Sequence, residues 1–260
     1  MYLISMSITL FLIYKAIRFY NAQQITFVFF VFLFGGYYAE SFNAVRQYIS
    51  IAFFIYATRY IFAASFIRYC ICLLIGSLFH TSILFLLPFY YILRKQYSDV
   101  TLIVGGALLL TFSFVFPMTA ILEKIPVYGQ RYMIDNSHFN QSANLGLGYI
   151  SKLCIGLILI KLRHFIIRDD AKYNVVINAY FFYIIFMAMF QDMMVFLRIA
   201  YYFHIFLILI LPKMGVCFTK QTKSMGLLIV CLYVLLLFYM QMTDETGMLI
   251  PYQANFDFYN

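Results

Sequence analysis

The chain is 260 residues long, 65% hydrophobic, 21% aromatic and only 11% charged, with a net charge of +8. That balance leaves too little polar surface to cover a soluble domain, so a water-soluble fold is excluded. Apolar runs recur from end to end, and their continuity excludes the alternating segments of about ten residues that build a β-barrel. Helices, which satisfy their own backbone in lipid, are the form left open. The expectation is an all-α, polytopic helical membrane protein forming a single integral membrane domain over residues 1–260.

In chain order the apolar runs are Tyr2–Tyr14, Ile25–Ala39, Tyr48–Ala64, Phe66–Leu93, Val100–Leu122, Leu147–Ile160, Tyr173–Phe190, Val195–Leu211 and Met225–Met242. The first has no basic segment before it and no small-residue cleavage site after it, which reads as a span and not a signal peptide. Phe66–Leu93 would be about 42 Å long as one straight helix, too long for one ordinary crossing. With Gly76, His80 and Thr81 near its middle, it is expected to be a broken or re-entrant hairpin that meets at the histidine.

Charge placement agrees with that reading. If the run returns to its starting side, one side collects Lys15, Arg18, Arg59, Arg68, Arg94, Lys95, Lys161, Arg163, Arg168, Lys172, Lys213, Lys220 and Lys223. The other keeps Arg46, Lys124, Arg131, Lys152 and Arg198, beside Glu40, Glu123, Asp135, Asp192, Asp244, Glu245 and Asp257. The rule that cytoplasmic loops collect Lys and Arg makes the first side cytoplasmic. The expected topology has about eight full spans plus the hairpin, with both termini external.

Basic residues on the outer side are disfavoured during insertion, so Arg46, Arg131 and Arg198 need another explanation. A snorkelling arginine at a helix end is the plain one. The chemical one is an anion clamp, because a guanidinium offers planar paired donors to phosphate oxygens and keeps its charge when partly desolvated. Arg198 lies inside an apolar run, six positions after Asp192, its candidate partner. His80 is either a core group bonded to a neighbouring hydroxyl such as Thr81 or Ser82, or a general base whose ordinary pKa of about 6.5 suits proton removal from a hydroxyl. His204, two turns beyond Arg198, is expected to pack. The outer loop, residues 123–148, is rich in Asn, Gln, Tyr and Gly and places Arg131 between Tyr128 and Tyr132, a mixture suited to sugars and common in solvated loops too.

Absent patterns narrow the field. There is no phosphate-binding Walker loop, no dinucleotide glycine fingerprint, no zinc-protease helix and no acidic pair. The five cysteines match no metal-ligand spacing, and the thirteen methionines read as filler. No metal, nucleotide cofactor or nucleic-acid partner is expected.

"FNAVRQYISIAFFIYATRYI", with Arg46 and Gln47, and "IGSLFHTSILFLLPFYYIL", with His80, Ser82 and Pro88, resemble the EpsG family of bacterial exopolysaccharide polymerases, relatives of the O-antigen polymerases. "RIAYYFHIFLILILP" and the closing "LIPYQANF" add weaker support, so the resemblance covers most of the chain from about Gly35 onward. Members of that family carry further spans ahead of the Arg-Gln helix, whereas two precede it here.

The resemblance implies a metal- and nucleotide-independent membrane glycosyltransferase of the bacterial cytoplasmic membrane. It would polymerise undecaprenyl-diphosphate-linked oligosaccharide repeat units into O-antigen, capsule or exopolysaccharide at the outer face. Arg46, His80 and Arg198 would be catalytic, and Gln47, Ser82, Tyr128, Arg131, Tyr132 and Asn136 would contact substrate. A flippase and a chain-length regulator are candidate partners. A flippase of lipid-linked oligosaccharides and a membrane sugar acyltransferase are the alternative readings. The decisive expectation is geometric: Arg46, His80 and Arg198 should converge on one cavity.

Overall fold

The computed structural model describes residues 2–115, 146–190, 194–217 and 222–243. Helices and short 3-10 turns account for its regular structure, and there is no strand among the described residues. The first limb is α1 (Tyr2–Asn21), followed across a 3-10 turn by α2 (Ile25–Phe34). Asn21 leaves helical geometry at φ −146°, and Tyr14 faces Phe29 with ring centroids 6.5 Å apart, so the two limbs fold against each other.

The run expected over Ile25–Ala39 is divided. Gly36, at φ +90°, starts a separate helix α3 (Tyr37–Asn43). A left-handed residue costs a side-chain-bearing amino acid about 1 kcal/mol or more, which glycine avoids. After Ala44 the chain enters α4 (Val45–Phe62), whose face of Ile49, Ala52, Phe54, Ile55, Ala57 and Ile61 is buried in the centre of the molecule.

Next comes the broken hairpin. Helix α5 (Phe66–Ser77) stops, His80 is extended at φ −153° and ψ 112°, a 3-10 turn spans Thr81–Leu86, and α6 (Phe89–Arg94) follows Pro88. The two arms lie together: Tyr69 donates its hydroxyl to the Leu86 carbonyl at 2.6 Å, and Phe66 and Tyr90 meet ring to ring at 5.0 Å. The arms therefore return to one level, as expected of a run too long for one crossing. Close approach at the tip requires Gly76, because a Cβ there would stand 2.6 Å from the Ile83 side chain and 3.1 Å from Phe53 Cβ.

Six helices complete the described chain: α7 (Asp99–Val115), α8 (Leu147–Asp169), α9 (Tyr173–Met189), α10 (Met194–His204), α11 (Leu207–Val216) and α12 (Lys223–Thr243). Helix α8 runs nine residues past the apolar run expected to end at Ile160, since a helix leaving the bilayer no longer needs apolar side chains. Its nearly buried Arg163 is held there by the Asp99 carboxylate at 2.9 Å and the Tyr97 carbonyl at 2.5 Å. The core runs through α4, α9, α10 and α11, with Phe54, Phe203, Phe206, Tyr180 and Tyr183 fully enclosed. His204 stacks between Tyr37 and Tyr183, each ring 4.7 Å away, and does pack.

Among the described residues three stretches are long and apolar enough to cross a membrane: Leu3–Phe34, Phe196–Gly215 and Lys223–Gln241. Phe66–Ser77, Asp99–Phe112 and Tyr173–Met189 are apolar but shorter. Among the described residues the count of about eight full spans is not confirmed, and helix breaks divide several of the expected runs.

The two ends of the bundle differ. At one, Lys172 Nζ donates to the Phe19 carbonyl at 2.7 Å, Arg59 lies over the Phe19 ring, and Lys213 pairs with Asp169. At the other, α4 begins with Arg46. Thirteen helical residues separate Arg46 from Arg59, a rise of about 20 Å, or roughly two-thirds of a bilayer core.

Candidate functional site

The pocket at that second end is built by three chain breaks. Residues Phe42–Gln47 contribute the α3–α4 junction, His80 the tip of the hairpin, and Arg198 the second turn of α10. Together they enclose about 290 Å³. The sequence expectation is met in its geometric form: Arg46, His80 and Arg198 line one cavity, with Gln47 beside them.

Three hydrogen bonds hold the converging elements. Gln47 Nε2 donates to the Arg198 carbonyl at 2.7 Å, tying α4 to α10. Ser50 Oγ donates to the Gly76 carbonyl at 2.8 Å, tying α4 to the end of α5. Ser82 Oγ and Tyr202 Oη lie 3.0 Å apart, tying the 3-10 turn to α10. Each bond joins elements that meet only in the tertiary structure, and each satisfies a polar group that burial would otherwise penalise.

The pocket is electropositive and open. Both arginine side chains are exposed, and among the described residues no carboxylate pairs with either. Val45, Arg46 and Gln47 form the first turn of α4, where backbone N–H groups have no partner within the helix, and no side chain caps them. A helix start of this kind favours an anion, and two guanidinium groups beside it reinforce the preference. The His80 ring has no hydrogen-bond partner among the described residues, so the reading of a core histidine satisfied by Thr81 or Ser82 does not apply.

Ser82 departs from its expected place. Its hydroxyl is engaged by Tyr202 and the residue does not line the pocket, so its part in the site is to hold the hairpin. Tyr128, Arg131, Tyr132 and Asn136, with the rest of the expected outer loop up to residue 145, lie outside the described residues, as does Asp192.

Phe42 and Asn43 line the pocket and were not singled out from sequence as contact residues. Phe42 is 43% exposed and Asn43 is exposed, two ordinary signs of a helix end that acquire meaning only from the surrounding arginines. Glu40 was also passed over. It accepts a hydrogen bond from Tyr48 Oη and lies close enough to Lys152 to interact electrostatically, a half-buried carboxylate on the helix that precedes the pocket junction.

An all-helical membrane protein with an anion-attracting, histidine-containing pocket at one end of the bundle is the class these features define. The EpsG family model matches residues 1–254, and the chain belongs to that family. The match includes the two limbs ahead of Gly35, beyond the stretch where the resemblance was first legible. No curated protein and no solved structure matches the chain. Family membership associates it with exopolysaccharide polymerisation.

Proposed function

We propose that this protein joins lipid-linked oligosaccharide repeat units into a surface polysaccharide, acting as a glycosyltransferase that needs neither metal nor nucleotide. The observation that carries the reading is the convergence of Arg46, His80 and Arg198, from three distant parts of the chain, on one pocket opposite the basic end of the bundle. With the basic end cytoplasmic, the pocket opens at the outer face of a bacterial cytoplasmic membrane.

The donor would be a glycan on undecaprenyl diphosphate. Its anomeric carbon loses the bond to the diphosphate oxygen, which departs with the electron pair. A hydroxyl of the acceptor repeat unit forms the new glycosidic bond and gives up its proton. Arg46 and Arg198, with the first-turn amides of α4, stabilise the charge that grows on the leaving diphosphate, the term that contributes most in reactions of this kind. His80, beside both arginines, accepts the proton. Partial burial, and after it the nearby Arg198 and Arg46 guanidinium groups, shift the His80 imidazole below its ordinary pKa, which favours the unprotonated ring that a base requires.

Reconstitution of the purified protein in vesicles with lipid-linked repeat units tests the proposal. A ladder of longer glycans on a single lipid is the expected product. Transbilayer movement of intact units without elongation, or acyl transfer to the sugar, would replace this reading with one of its rivals. Flippase and chain-length regulator proteins remain proposed partners, readable by co-purification.

A further inference from the structure

The basic end of the bundle holds a second cavity that the proposed chemistry does not use. It lies between the end of α1, the 3-10 turn after it, the α8–α9 turn and α11, and encloses about 380 Å³, within the usual range of ligand pockets. Its frame is internally bonded. Lys172 Nζ donates to the Phe19 carbonyl at 2.7 Å and meets Asp170 at 3.2 Å, Asn21 Nδ2 donates to Gln24 Oε1 at 3.0 Å, and Gln24 Nε2 reaches the Pro212 carbonyl at 3.5 Å.

Two lining groups of opposite charge stand outside that frame. Arg18 is exposed, and among the described residues no carboxylate pairs with it. Asp169 gives one oxygen to Lys213, while its side chain is 62% exposed and its other oxygen carries no hydrogen bond among the described residues. The cavity therefore offers a guanidinium to a phosphate and, unpaired with it, a carboxylate to a cation. A headgroup bearing only a phosphate would satisfy Arg18 and be repelled by Asp169, whereas one that adds an ammonium answers both. The ammonium must carry N–H groups, since a quaternary nitrogen has none to donate to the carboxylate oxygen.

The wall of the cavity favours a lipid over a free metabolite. Phe19 lines it and packs edge-on against Phe62, ring centroids 6.4 Å apart, and Phe62 is 51% exposed. Apolar surface of the kind a bilayer covers thus adjoins the polar chamber, as a ligand with hydrocarbon chains requires. We infer that this cavity binds the headgroup of an ethanolamine phospholipid, its phosphate on Arg18 and its primary ammonium on Asp169. The inference is independent of the polymerase reading and concerns the opposite end of the molecule.

Delipidated protein in detergent micelles, titrated by calorimetry with short-chain phospholipids bearing ethanolamine, choline or glycerol headgroups, tests it. Ethanolamine is expected to bind about tenfold more tightly than either of the others, the lower range for a hydrogen bond to a charged group. Arg18→Gln should weaken all three, and Asp169→Asn should erase the lead of ethanolamine over glycerol. Soluble phosphoethanolamine should compete only weakly, and affinity equal to that of the lipid would overturn the assignment to a lipid. Equal affinities in the wild type, a preference for glycerol, or an ethanolamine lead that survives Asp169→Asn would overturn the inference. If Asp169→Asn loses its fold with the Lys213 pair, the wild-type comparison and Arg18→Gln decide.

Discussion

Arg46 and Arg198 differ from Arg163, Lys172 and Lys213 in one respect that bears on function. The latter three each meet an aspartate, whereas the two pocket arginines have no carboxylate among the described residues. An exposed ion pair contributes little, and an unpaired guanidinium beside uncapped helix amides is free to take a ligand anion. Arg46→Lys keeps the charge and loses the planar fork, so polymerisation should fall about 10- to 100-fold, the range for charged hydrogen bonds, while thermal stability stays near wild type. Glycan ladder length and melting temperature, measured on the same preparation, check the two halves of that expectation. His80→Ala should lower turnover by about a hundredfold or more, the usual contribution of a positioned base, and leave donor-lipid affinity unchanged. Loss of affinity in that variant would show the ring holding ligand and not accepting a proton. Both residue types stood out in the sequence as costly charges or polar groups among apolar neighbours. The tie from Gln47 to α10 did not, because it depends on a carbonyl 151 positions away in the chain.

At the scale of elements, the site depends on how closely the hairpin tip approaches α4. Gly76 permits that approach, and Gly76→Ala would force a methyl group into Ile83 and the Phe53 backbone-proximal carbon. Overpacking of this sort costs about 1 to 3 kcal/mol, and here it also pushes the Ser50 to Gly76 bond apart. The variant should melt earlier in detergent and lose polymerisation out of proportion to its loss of fold, readable by comparing activity with the folded fraction. Tyr48→Phe removes the donor to Glu40 and leaves a half-buried carboxylate short of a hydrogen bond, at a cost of about 1 kcal/mol or more. Glu40→Gln retains an acceptor and should be milder, and equal destabilisation by the two would show that Tyr48 matters through packing alone. The break at His80 was legible from the excessive length of the run Phe66–Leu93. Its tightness was not, since the contacts that set it, Gly76 with Ile83 and Tyr69 with Leu86, arise from two arms folding together.

For the whole molecule, the separation of charge between the ends makes orientation testable. In a background with all five cysteines replaced, Asn43→Cys and Ser98→Cys place exposed thiols at the pocket end and the basic end. A membrane-impermeant maleimide applied to intact cells should label Asn43→Cys and reach Ser98→Cys only after permeabilisation. The reverse pattern would put the pocket in the cytoplasm, away from a substrate presented outside. The Lys and Arg asymmetry behind this expectation could be counted along the chain, because a bilayer sorts whole loops by charge. The subdivision of apolar runs at Asn21, Gly36 and His80 is a feature of the folded chain that hydropathy alone does not mark reliably.

Composition and run length were sufficient by themselves to make this chain an all-helical membrane protein, since lipid imposes a local demand: each backbone group must find its partner within its own segment. Unusual residues in or beside those runs, His80 and Arg198 within them and Arg46 just before one, could be picked out by their cost for the same reason. Only the tertiary structure decided that they share a pocket, that Ser82 faces Tyr202, and that Gln47 is tied to the Arg198 carbonyl. Convergence is a property of helix packing and of hydrogen bonds between distant segments, and no periodicity within a single segment encodes it.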